Sequence, residues 1–298
     1  MSINLINNNP FETARIKSKP LILDGAMGSY LQQQGLATDD VLWTTNINNT
    51  NPDLIVQTHL EYIEAGADII TTNTFRTNPS SLTKAGISNV AEFVKEAVAL
   101  AHQSVIGKKV LIAGSNAPAE DCYQIKRTLS QENLAMNHCK HIDLLIDNGV
   151  DFVLNETQSH LDELRIICDH CDKNEIPYAI SLYANRSTHL LSGENLETAL
   201  SFFNDHNVLA IGLNCISPKF FEKVIGSIQL PEKWGFYLNC GSGQHTDKNI
   251  ECGIQPIEYL EIIKKSILYK PSFIGSCCGS SPAHTKIIRK YLDGQNYS

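Results

Sequence analysis

The chain has 298 residues, 42% hydrophobic and 19% charged, a length that can bury one large α/β barrel or two small domains. Its formal net charge of −8, with no Lys/Arg cluster, argues against nucleic acid as a partner. No apolar run approaches the roughly 20 residues that span a bilayer, and Met1 to Pro20 holds no apolar signal-peptide core; with nine cysteines in a chain too large to need stapling, a reducing, cytoplasmic address is expected.

Residues 1–18 read as an N-terminal extension. The first strand candidate follows at Leu21–Asp24. A helix is predicted over Pro52–Ala65, with Asn51 as N-cap, Pro52 at the first helical position and a stop at Gly66. Strand candidates Asp68–Asn73 and Val110–Ser115 come next, then a helix over Gln131–Asp147 halted by Asn148-Gly149. Asp151–Glu156, Tyr178–Tyr183, Val208–Cys215, Gly235–Cys240 and Ser272–Cys277 complete the strands. The last helix opens with Ser281 as cap and Pro282 at its first position, with Ile287, Ile288 and Leu292 at helical spacing. The strand candidates are almost continuously apolar, as strands covered on both faces must be. Eight of them, seven followed by a helical pattern before the next begins, give the count and size of a single (β/α)8 TIM barrel. A doubly wound open sheet is the alternative, but it usually has fewer strands and a Gly-rich nucleotide turn. With no linker or composition shift, residues 1–298 read as one domain.

Each strand candidate ends in a residue that a buried apolar strand does not want: Asp24, Asn73, Ser115, Glu156, Tyr183, Cys215, Cys240 and Cys277. In a barrel these ends ring one mouth, where active sites sit. Asp24 and Glu156 are the carboxylates there, either as helix-cap or loop groups or as counter-charges for a substrate ammonium.

Cys277 and Cys278 carry the sharper signal. Adjacent strand side chains point to opposite faces, so both reach one ion only where the strand breaks. Ser276-Cys277-Cys278-Gly279 lies at such a break, with Gly279 supplying backbone freedom before Ser281-Pro282. Cys215 ends a strand two places away, and three thiolates from two strands make a tetrahedral zinc site with one position open. Two buried small residues or a vicinal disulfide are the alternatives. Cys168 and Cys171 form a C-x-x-C inside a helical stretch with no second pair, and read as structural. Cys122, Cys139 and Cys252 are isolated, and Cys240 reads as a bystander or a spare ligand. His138 and His141 fall three apart on one helix, with solvent exposure as the expectation, while His59, His160, His245 and His284 support no functional claim.

These residues resemble the homocysteine S-methyltransferase family, and the motifs run in order across nearly the whole chain. Leu23-Asp24-Gly25-Ala26-Met27-Gly28 is similar to the first-strand D-G-x-x-G, and Leu42-Trp43-Thr44 to L-W-S/T. The run from Ala65 to Phe75 is similar to A-G-A-D-I-I-x-T-N-T-F/Y, Glu156-Thr157 to E-T, and Gly212-Leu213-Asn214-Cys215 to G-x-N-C. Gly275 to Gly279 resembles the terminal G-G-C-C-G with Ser276 in place of a glycine. The resemblance implies a (β/α)8 barrel with Zn²⁺ held by Cys215, Cys277 and Cys278. It implies Glu156 at the homocysteine amino group, Asp24 shaping the amino-acid pocket, and the Gly25 and Ala26 amides at the carboxylate. Trp43, Thr44 and Asn73 would line the same pocket. The chain departs from the family at Asn116 to Tyr123, where S-methylmethionine enzymes carry a longer G-S-x-G-P-Y-G-A type loop, and at Tyr237 to Gly241, which lacks the usual proline. Both departures spare the zinc set and fall where donor contacts partly lie.

The implied activity is methyl transfer from a small onium donor, S-methylmethionine or S-adenosylmethionine in the first place, to the thiolate of homocysteine, giving methionine. A route through methyltetrahydrofolate or methylcobalamin normally uses additional domains. The rival readings are a non-catalytic zinc- or thiol-binding barrel and a methyltransferase acting on another small thiol.

Overall fold

The structure is a computed structural model that describes residues 5–184, 188–243 and 249–295; His245 and residues 1–4 of the extension lie outside it. Eight strands form one parallel sheet: β1 (Leu21–Ile22), β2 (Ile69–Thr71), β3 (Leu111–Asn116), β4 (Phe152–Gln158), β5 (Tyr178–Leu182), β6 (Ile211–Asn214), β7 (Trp234–Leu238) and β8 (Phe273–Ser276). From β2 to β8 each strand pairs with its sequence neighbour, and β1 pairs with β8, while an isolated parallel bridge between Leu23 and Ile69 joins the β1 end to β2 and rounds the sheet into a barrel. Helices fill the crossovers, so the fold is the (β/α)8 barrel that the alternation of elements predicts.

The uninterrupted apolar strands have two destinations. Ile22, Ile70, Ile112, Val153, Ile180 and Phe236 pack outward against the helices, whereas Leu23, Ile69, Ala113, Phe152, Leu154 and Phe273 fill the barrel interior. Small residues make room at crowded points: a Cβ on Gly235 would come within 2.3 Å of the Phe273 ring.

The N-terminal extension joins this interior. Phe11, on a helix over Pro10–Ile16, meets Phe152 and Phe273 edge-on at 5.6 and 5.4 Å, and Leu5 is buried in the same cluster. Asn9 caps the helix through the Phe11 N–H (2.9 Å) and donates from Nδ2 to the Leu209 carbonyl (2.9 Å), which ties the segment to a residue 200 positions away.

The predicted helices stand at Pro52–Glu64, Gln131–Asp147 and Pro282–Asp293. Ser281 receives its capping bond in reverse, donating its N–H to Nδ1 of His284 at 3.1 Å. Asn51 begins its helix without a side-chain capping bond, and Pro52, which needs no N–H acceptor, starts the turn.

The expected exposure of His138 and His141 is corrected. Both are fully buried on the face that Gln131–Asp147 turns to the barrel. His141 bonds to Thr77 Oγ1 and Asn116 Oδ1, each at 2.8 Å, and burial pushes its pKa down to about 3. It is a neutral strut among buried polar groups, which a three-residue spacing by itself does not reveal. Cys168 and Cys171 are buried within the helix Leu161–Lys173, as expected of structural thiols.

Candidate active site

The strand C-termini open into a cavity of about 800 Å³, a size suited to two amino-acid-sized ligands. Of the eight strand-end residues picked out in the sequence, Asp24, Asn73, Ser115, Glu156, Cys215 and Cys277 line it, together with Cys278. Tyr183 and Cys240 do not. Tyr183 packs edge-on against Tyr123 at 5.1 Å, and Cys240 turns its thiol toward the Leu238 carbonyl at 3.6 Å.

Cys215, Cys277 and Cys278 form the one group of potential metal ligands among the described residues, their sulfurs all within 4.8 Å of one another. Cys215 and Cys278 sulfurs are 3.7 Å apart, and those of Cys277 and Cys278 are 4.0 Å apart. All nine cysteines are free, so the neighbouring pair is not a vicinal disulfide. β8 ends at Ser276, and beyond it the Cys277 N–H bonds the Leu238 carbonyl (2.8 Å) while the Cys278 carbonyl accepts from the Cys240 N–H (2.7 Å). The break that lets both thiols face one point depends on Gly279, which sits at φ +82° with a hypothetical Cβ only 2.4 Å from Gly241 Cα. The trio shares its protons unequally. Hydrogen bonds from Cys215 and then Cys277 hold Cys278 well below the usual thiol range, whereas bonding to Cys215 and Cys278, with burial, pushes Cys277 well above it.

Cys215 itself has φ +56°, a left-handed conformation that a non-glycine residue holds only under constraint. The constraint is shared with Thr157, at φ +57°, where a register shift interrupts β4 between Asn155 and Gln158. Buried Asn214 accepts the Thr157 N–H at 3.0 Å and donates to its hydroxyl at 2.8 Å. One side chain thus fixes the two bends that aim Glu156 and Cys215 into the mouth.

Glu156 accepts a hydrogen bond from the Ser115 hydroxyl, and burial pushes its pKa up to about 7. Asp24 is fully enclosed; its carboxylate accepts from the Thr71 N–H (2.8 Å) and hydroxyl (3.1 Å), yet burial, with the Glu156 charge adding to it, raises its pKa well above the carboxylate range. The mouth therefore holds two carboxyl groups that a ligand cation would ionise.

The remaining candidates divide between lining and support. Gly25, Ala26 and Trp43 line the cavity; the Ala26 N–H donates to Ser280 Oγ at 3.1 Å. Trp43 has φ +55° and lies so close to Gly28 that a Cβ there would stand 2.5 Å from its ring. Asn73 also lines the cavity but spends its amide on the Thr44 carbonyl (3.1 Å) and Asn48 Oδ1 (2.9 Å). Thr44 is buried behind that wall and is not part of the lining.

Sequence reading assigned no role to Tyr123, Thr71, Asn214 or Thr157. Tyr123 lines the cavity with its hydroxyl 3.1 Å from Cys215 Sγ, across 92 residues of sequence, and no local pattern announces that contact. Asn214 and Thr157 did carry a signal: each directly follows or precedes a site residue inside a quoted motif.

A (β/α)8 barrel with three convergent thiols and two buried carboxyls at its strand-end mouth defines a thiol-centred barrel enzyme. Comparison with known proteins makes the class specific. The family model for homocysteine S-methyltransferase matches residues 21–292, and the chain belongs to that family of methyltransferases. Its relatives include a betaine-homocysteine S-methyltransferase of Drosophila melanogaster, 30% identical over 86% of this chain and 88% of that protein. A selenocysteine Se-methyltransferase of Brassica oleracea var. italica is 21% identical over 91% and 88% of the two chains. In fold the chain is similar to the metallated form of the homocysteine methyltransferase MmuM from Escherichia coli, with a TM-score of 0.79 at 24% identity, covering 95% of this chain and 100% of that one.

Proposed function

We propose that this protein is a zinc-dependent methyltransferase that moves a methyl group from a small onium donor, S-methylmethionine or S-adenosylmethionine in the first place, to the sulfur of homocysteine, giving methionine. The thiol trio carries this reading. Tetrahedral zinc with Zn–S bonds of about 2.3 Å separates its sulfurs by about 3.8 Å, and the 3.7 and 4.0 Å spacings of Cys215, Cys277 and Cys278 fit that edge length. Zinc held by these cysteines would supply the charge that keeps an added thiol ionised at neutral pH, where a free thiol of pKa about 8.5 is only a few per cent thiolate.

The chain's own residues would do the rest. Glu156, raised toward neutrality by burial, gains a partner in the substrate ammonium and ionises against it. Asp24, braced on Thr71, shapes the amino-acid pocket, with Gly25 and the Ala26–Ser280 pair beside the substrate carboxylate. Trp43 and Asn73 wall the pocket, and Thr44 holds Asn73 in place. In the transfer, an electron pair on the homocysteine sulfur forms the new S–C bond while the donor C–S⁺ bond breaks and leaves its pair on the donor sulfur. The donor departs as a neutral sulfide. No proton moves at the methyl carbon, so the step needs no general base there, and orienting the two substrates carries much of the rate.

A single barrel domain over residues 1–298, with 1–18 as an extension, belongs to the same proposal. So does a cytoplasmic address, which nine free thiols suit; no helix among the described residues is long and apolar enough to cross a membrane. A second reading, transfer to another small thiol or selenol, draws on the relative named for selenocysteine.

Metal analysis tests the site: about one zinc per chain is expected, lost in Cys215→Ala. A panel of S-methylmethionine, S-adenosylmethionine, betaine and dimethylsulfonium compounds with homocysteine should then yield methionine from a sulfonium. Zinc binding without methionine from any donor would favour a non-catalytic zinc-binding barrel.

A further inference from the structure

The cavity holds an unbalanced cation. Among the described residues its lining carries the carboxylates of Asp24, Asp39, Asp40, Glu120, Asp121 and Glu156 but two basic side chains, Arg76 and Lys84. Lys84 is exposed, whereas Arg76 is half-buried, with its guanidinium 5.1 Å above the Phe75 ring. Arg76 donates one bond, from Nη1 to the Glu120 backbone carbonyl at 2.9 Å. Among the described residues no carboxylate comes within ion-pair distance of it. The Glu120 carboxylate is turned away and committed to the Thr128 hydroxyl and N–H and to the Leu129 N–H. The Asp121 carboxylate is held by the Tyr123 N–H at 2.8 Å. A half-buried guanidinium with free N–H groups and no counter-ion is a place for an anionic ligand group, and its planar fork matches a carboxylate.

We propose that Arg76 binds the carboxylate of the methyl donor, so that the enzyme selects onium donors that are zwitterions over simple cations. The inference rests on the methyl-transfer reading above and assigns a residue of this chain to the donor's carboxylate. Position separates this carboxylate from that of homocysteine. Phe75 and Arg76 lie four and five residues beyond the end of β2, in the loop that carries the rim, and Arg76 is fastened to a second rim residue, Glu120. Asp24, Glu156 and the thiols lie on the strands or within two residues of their ends. Trp43, packed edge-to-face with Phe75 at 6.2 Å, offers aromatic surface to the positive onium, the Phe75 ring itself being engaged by Arg76. A donor lying along this rim would set its onium on Trp43, its carboxylate on Arg76, and its methyl toward the thiols.

The experiment compares dimethylsulfonioacetate with trimethylsulfonium as donors to homocysteine, in the wild type, Arg76→Gln and Arg76→Lys. Arg76→Gln keeps an N–H for the Glu120 carbonyl and removes the charge. The expected result is a preference for the carboxylated donor in the wild type. In Arg76→Gln that kcat/KM ratio falls about tenfold to one-hundredfold, the scale of one charged hydrogen-bonded contact, and Arg76→Lys restores part of it. Homocysteine affinity and zinc content, measured by calorimetry and metal analysis on the same preparations, stay at wild-type values. Equal loss with both donors, an unchanged ratio, or a matching loss of homocysteine affinity would each overturn the proposal. If no donor is turned over, calorimetric binding of dimethylsulfonioacetate to wild type and Arg76→Gln still decides it: binding lost with the charge supports the assignment, and equal binding or none refutes it.

Discussion

Asn214→Ala removes the side chain that holds two strained backbone positions at once. Two hydrogen bonds to Thr157 disappear, at about 1 kcal/mol each, and the buried Thr157 N–H loses its acceptor, at about 1–3 kcal/mol. Relaxing the left-handed conformation at Thr157 returns part of this, about 1–3 kcal/mol, if the interrupted strand straightens. The net loss is on the order of 2–3 kcal/mol, well above the roughly 0.5 kcal/mol typical of a neutral substitution. Straightening would also swing Glu156 and Cys215 off their aim. Supporting residues of this kind change metal affinity by about 10- to 100-fold. Urea unfolding should show the stability loss, and competition with a chelator the weaker zinc binding. Asn214→Asp, which keeps an acceptor for the Thr157 N–H, should recover most of both. If Asn214→Ala unfolds within about 0.5 kcal/mol of the wild type and holds zinc as tightly, the clamp is not what sets the site.

Two further outcomes are expected. Glu156 binds its proton more tightly when folded, with a pKa of about 7 against an ordinary 4.5, so the folded state holds more protons than the unfolded one across that interval. Its contribution to stability is present below about pH 4.5 and is lost as pH rises through 7. Glu156→Gln should therefore unfold at higher urea than the wild type at pH 8, by up to about 3 kcal/mol, and match it near pH 4, while losing homocysteine binding. Equal stability at both pH values would show that burial does not strain this carboxylate. Phe11→Ala should cost about 3–5 kcal/mol, as for a buried phenylalanine in any core, with zinc content unchanged; a loss of less than about 1 kcal/mol would make the N-terminal helix a mere attachment.

Much of the architecture could be read from the chain because its physical causes are local. Continuous apolar runs mark strands covered on both faces, and Pro52 and Pro282 mark helix starts by their missing N–H. Strand-end polarity pointed to Asp24, Glu156, Cys215 and Cys277 before any geometry, since a buried strand tolerates such residues only where it opens to a mouth. Periodicity failed at His138 and His141. A helix buried against polar neighbours shows the same spacing as one facing water, and only Asn116 and Thr77, brought in from elsewhere in the chain, distinguish the two.

The sequence by itself determined the barrel and put forward the three thiols and the two carboxyls, through residue type and nearness to a strand end, a criterion that also picked Tyr183 and Cys240, which the mouth leaves out. Tertiary structure decided the rest: that Leu5 and Phe11 enter the barrel interior, that Asn214 locks Thr157, that Tyr123 touches Cys215, and that Arg76 bonds the Glu120 carbonyl with no carboxylate among the described residues at ion-pair distance. These are contacts between residues tens to hundreds of positions apart, and their energies depend on burial and relative orientation, which chain order does not encode.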